Sequence, residues 1–113
     1  FDWLGEVHAI VELAQLPDVT FQELSNSANR LNSLFSSELI AIDTDEKKIL
    51  VSKLLDVIEK RVEEADSTDY SRIAWLALNN HDEDKARKYT KLGLAKDNGN
   101  PHILSLTLRL NIY

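Results

Sequence analysis

The stretch STDYSRIAWLALNNHDEDKARKYTKLGLAKDNGN, residues 67–100, is the most sharply punctuated part of this 113-residue chain. Apolar residues recur at helical spacing on either side of a polar run, so the pattern predicts two helices, about Tyr70 to Asn80 and Glu83 to Lys96, joined by a tight turn. Asp82 suits the N-cap of the second helix, since its carboxylate can accept from the free backbone N–H groups there. Glu83 and Asp84 follow in the first turn, where negative charge complements the helix dipole. Ala74, Ala86 and Gly93 are small enough to let two antiparallel backbones approach closely.

With Ser67 as the first position of a 34-residue unit, Tyr70, Ile73, Ala74 and Ala86 stand where the tetratricopeptide repeat has its aromatic, leucine, glycine and second-helix alanine. The stretch therefore resembles one unit of that family, with HDEDKA as the turn between its helices. Three positions depart from the pattern: Ala77 replaces an aromatic, Thr90 beside Tyr89 replaces phenylalanine, and the proline comes late, at Pro101. The resemblance implies a helical hairpin with a partner-binding groove. It assigns groove-facing positions to Ser71, Trp75, Leu78 and Asn79, and on the following helix to His102, Ser105 and Arg109. Trp75 is the strongest of these, because a large ring with an indole donor is a favoured interface anchor.

Outward from this stretch, the rest of the chain also reads as helix. Trp3, Leu4, Val7, Ile10, Val11 and Ala14 recur at three and four, predicting an amphipathic helix that ends before Pro17. Thr20 and Glu23 form a capping box stapled by Val19 and Leu24, and open a helix of about 22 residues reaching Ile42. Asp43 and Glu46 offer a second capping box. The next helix, about Asp45 to Ala65, carries Leu50, Leu54, Val57, Ile58 and Val62 on one stripe, with Lys47, Lys48 and Lys53 among its water-facing residues. A short turn between two such helices predicts a long antiparallel hairpin. The Ser25, Asn26, Ser27, Asn29, Asn32 and Ser33 cluster reads as plain surface on its first helix.

At the C-terminus, Leu104, Leu106, Leu108, Leu110 and Ile112 alternate with polar residues as in a strand, while Asn100 and Pro101 are a good N-cap and first helical residue. A lone strand could not satisfy its backbone, so a helix is expected. Its apolar surface is expected to continue into further sequence or to meet another chain.

Composition excludes several classes of function. The chain has no cysteine, which removes thiol chemistry and cysteine-ligated zinc. Its net charge of −6 argues against nucleic acid, which demands a concentrated basic surface. Lys85, Arg87, Lys88 and Lys91 make one helix basic, but Glu83 and Asp84 lie four residues before Arg87 and Lys88 and pair with them. No apolar run approaches the length of a membrane span, and no targeting segment opens the chain. The three glycines form no phosphate-cradling loop, and no serine sits in a nucleophile elbow. His8, His81, Asp82 and Asp97 superficially match the metal set of HD-type phosphohydrolases, although HD dipeptides are common.

The sequence thus predicts an all-α domain of five to six helices spanning residues 1–113. Residues 1–66 form a bundle part and 67–113 a repeat-like part, and the whole, starting at Phe1 and lacking methionine, is expected to be a fragment of a larger protein. The expected role is a non-catalytic protein-interaction or regulatory module, cytoplasmic, without cofactor, metal, nucleic acid or membrane, and binding a protein partner or another domain of the same chain. The alternative is a helical dimerisation domain making a homodimer through the seam between residues 20 and 65. An HD-type metal-dependent hydrolase is a distant third.

Overall fold

Caps set the boundaries of each helix. In the computed structural model, which describes residues 2–36 and 44–112, Asp2 caps α1 (Trp3–Ala14), and Thr20 and Glu23 close the expected capping box on α2 (Phe21–Phe35). Thr44 caps α3 (Asp45–Glu59), its hydroxyl accepting from the Lys47 N–H at 3.1 Å. A second capping box, Asp66 with Asp69, opens α4 (Ser67–Asn79). Asp82 caps α5 (Glu83–Lys96) as expected, and Asn100 with Pro101 at the first turn opens α6 (Pro101–Leu110), which Asn111 ends in the left-handed conformation. The described residues hold these six α-helices, a 3-10 turn at Val62–Glu64 and no strand, so the C-terminal alternation of leucines resolves as a helix.

Each helix packs on the next in the chain, and α1, α2 and α4 pack also on the next but one. Helix α1 lies on α2 and α3, α2 on α3 and α4, α3 on α4, and α4 on α5 and α6, with α5 against α6. Helices α3 and α5 join through Glu59, which accepts from Lys85 at 2.6 Å and from the Tyr89 hydroxyl at 2.7 Å. The most extensive contact is between α4 and α5. Helix α4 is the hub and is buried on several faces, with Tyr70, Ile73, Ala74, Leu76 and Ala77 all interior. The resulting core runs continuously from Val7 to Leu110, and the radius of gyration of 13.4 Å matches the roughly 13 Å of a compact chain this long. No helix among the described residues is long and apolar enough to cross a membrane.

Several expectations need correction. Helix α2 ends at Phe35, not near Ile42; Glu38, Ile42 and Asp43, with the capping box assigned to Asp43, lie outside the described residues. Helix α3 stops at Glu59, because the chain tightens into the 3-10 turn where Arg61 binds Glu64 at 2.8 Å and the Val19 carbonyl at 2.6 Å. Helix α4 begins three residues earlier than expected, since its cap is Asp66. Lys47 does not face water. It is buried, with its ammonium 4.4 Å from the Phe35 ring centre and donating to the Asn79 carbonyl at the end of α4. Nor is the α2–α3 seam the main contact of either helix; α2 lies chiefly on α4 and α3 chiefly on α1. Leu31 and Phe35, which a dimer seam would use, are buried within one chain.

Candidate functional site

The polar residues of α2 are the material of its contact with α4. Ser25 is buried and its hydroxyl donates to Asp69 Oδ1 at 2.5 Å, while Arg72 Nη1 donates to Ser25 Oγ at 3.0 Å and to Asn26 Oδ1 at 3.3 Å. Further along, Asn32 donates to the Arg72 carbonyl at 3.0 Å and accepts from Asn79 at 2.9 Å. Ser25, Asn29 and Asn32 follow a helical stripe at spacings of four and three, as do Thr68, Ser71 or Arg72, Trp75 and Asn79 on α4. Two such stripes facing each other bury polar groups without leaving any unmet: no buried side-chain nitrogen or oxygen among the described residues lacks a partner.

Where this seam reaches the surface it opens into two clefts that share Trp75. One, of about 340 Å³, has Asn29 and Asn32 of α2 on one wall and His102 of α6 on another, with Thr68, Ser71, Arg72 and Trp75 of α4 between them. The other, of about 330 Å³, lies between the end of α2, at Asn32, Ser33 and Ser36, and Trp75 and Asn79 of α4. Trp75 is half-buried, packed against the core on one side and presented to both clefts. Both clefts thus set one large amphipathic ring among polar side chains.

The expected groove residues divide into two groups. Ser71, Trp75 and His102 meet in the first cleft, and Asn79 joins Trp75 in the second. Ser71 is buried, its hydroxyl spent on the Thr68 carbonyl at 2.6 Å, so it shapes the floor and offers no free donor. Leu78 is half-buried against the core and lines neither cleft. Ser105 and Arg109 are exposed on α6 and line neither; Arg109 sits in the last turn, where its charge suits the helix dipole. Sequence reasoning missed Asn29, Asn32, Thr68 and Arg72. The matched polar stripes on two helices were the available signal.

The metal set of the hydrolase reading is dispersed. His81 occupies the α4–α5 turn with φ 58°, Asp82 spends its carboxylate on the Lys85 N–H, and His8 meets Glu46 at 3.0 Å between α1 and α3. No group of three or more His, Asp or Glu among the described residues could hold a metal ion. The basic face of α5 is partly engaged, with Lys85 on Glu59, Arg87 on Glu83 at 3.1 Å and Lys88 5.2 Å from the Tyr89 ring centre. The hydrogen bond to Glu59 raises the Lys85 pKa above its usual 10.5. Burial, then the same carboxylate, raises that of Tyr89. This cluster lies on α3 and α5, which do not line the clefts, and it acts as a clasp.

No family model, curated protein or solved structure matches the chain.

Proposed function

We propose that this chain is a non-catalytic protein-interaction module of stacked helical hairpins, working in the cytoplasm, whose groove between α2, α4 and α6 receives a segment of a protein partner or of another domain. The observation that carries this reading is Trp75, half-buried at the junction of two clefts. An indole held in that way loses little conformational freedom on binding and offers both apolar area and a donor.

The order of packing supports the same reading. Contacts between consecutive helices, with α2 on α4 and α4 on α6 besides, suit a quasi-one-dimensional stack in which α2, α4 and α6 share one side. In the tetratricopeptide-like reading α4 and α5 are one unit and α6, which starts 34 residues after Ser67, opens the next.

Affinity capture from source-cell lysate tests the proposal, comparing the domain with a Trp75→Ala variant whose fold is checked by circular dichroism. A partner retained by the parent and lost by the folded variant is the expected result. Equal capture by both would move the site away from Trp75.

A further inference from the structure

We infer that the segment received by the first cleft is acidic, setting a side-chain carboxylate against Arg72 and His102 and an apolar side chain against Trp75. This inference rests on the interaction reading above and names the chemistry of its partner. The chain carries 19 acidic residues against 13 basic ones, yet the lining of this cleft contains Arg72 and His102 and no carboxylate. Arg72 spends Nη1 on Ser25 and Asn26, and among the described residues Nε and Nη2 have no acceptor. The His102 imidazole is exposed and makes no hydrogen bond among the described residues, and a ring N–H can serve as a donor.

The carboxylate bonded to the same network, Asp69, is buried and outside the lining. Its Oδ1 accepts from Ser25 and its Oδ2 from the Asp66 N–H at 3.0 Å. Arg72, with donors to spare, therefore lines a site whose other residues supply amides, hydroxyls, an imidazole and an indole. A carboxylate entering there gains charge-assisted hydrogen bonds that an amide cannot match. The charge of −6 over the whole chain opposes a long polyanion, whose binding needs many phosphate contacts, so the attraction is confined to a short segment whose carboxylate meets the cleft lining.

Selection from a random dodecapeptide display library on the immobilised domain tests this. Two variants serve for counter-selection: Trp75→Ala, and His102→Glu, which places a negative charge at an exposed position and stays informative if the first variant unfolds. The expected peptides pair Asp or Glu with Leu or Phe and fail to bind both variants. Amide analogues of those peptides should bind at least about tenfold more weakly. Peptides that depend on Trp75 but are neutral or basic, or that bind as well after Asp→Asn and Glu→Gln replacement, would overturn the acidic inference and leave the interaction reading standing. Failure to recover any peptide sensitive to either variant would overturn both. A single-stranded 12-nucleotide oligomer that displaces the selected peptide would overturn the acidic-segment inference alone.

Discussion

Against α5, helix α4 packs with alanine, glycine and tyrosine; against α2 it packs with serine, asparagine, aspartate and arginine. On the first side Ala74 and Ala86 are fully buried, Tyr70 and Tyr89 stack at 6.0 Å between ring centres, and Ser67 donates to the Gly93 carbonyl at 3.0 Å. On the second, hydrogen bonds run from Ser25 to Asn79 along the seam. Close apolar contact supplies most of the stability, because area removed from water is the dominant favourable term. A buried hydrogen bond nets only about 1 kcal/mol, but one left unmade costs more than that, so the polar seam fixes the register of α2 on α4. The same seam ends in the cleft, and the residues that set the register also hold Arg72 in position.

This contrast can be broken from either side. The largest effect is expected from Ile103→Ala, which empties a fully buried site where α6 meets α5. It should cost about 2–5 kcal/mol in urea denaturation. Next comes Gly93→Ala. A Cβ there would collide with Ile103 Cδ1 and sit 3.3 Å from Tyr70 Cβ, so overpacking of about 1–3 kcal/mol should exceed the gain of up to about 1 kcal/mol in helix propensity. Adding Ile103→Val removes the colliding atom. The double variant should therefore be more stable than the sum of the two single changes predicts, with a coupling of at least about 0.5 kcal/mol.

Smaller losses are expected from the polar side. Ser25→Ala strips Asp69 of a buried donor and frees Arg72 from one acceptor, at about 1–2 kcal/mol, and should also change peptide binding in the cleft. The same volume change at an apolar position would alter stability alone, and that difference separates a register-setting seam from a filling one. The smallest effect is alkaline. Tyr89 and Lys85 hold their protons more tightly folded than unfolded, against ordinary values of 10.0 and 10.5, so their contribution is complete below about pH 10 and is lost as pH rises through the folded values. Denaturation midpoints measured from about pH 8 to 11 should fall only above about pH 10. Tyr89→Phe should reduce that fall.

The apolar side of α4 was the legible side. Small residues at Ala74, Ala86 and Gly93, a capping aspartate at Asp82 and the Asn100–Pro101 start are local signals, and the helices begin or pack where those signals stand. The polar side was not legible, because serine and asparagine on a helix are ordinary surface residues unless a second polar stripe faces them. That pairing joins Ser25 to Asp69, 44 residues apart, and only the fold brings them together. Lys47 was misread for the same reason: its burial depends on Phe35 and on the end of α4, both distant in sequence. Within the proposed groove, Trp75 and His102 were reached through the repeat resemblance, whereas Arg72 and Asn32 were not.

The most direct test of the central claim uses a photo-reactive p-benzoylphenylalanine in place of Asn29, exposed at the wall of the first cleft, or in place of Leu13, which is 56% exposed on α1 and lines neither cleft. Irradiation in source-cell lysate should cross-link a protein partner from position 29 and not from position 13. Cross-linking from position 13 alone would contradict a partner seated between α2, α4 and α6.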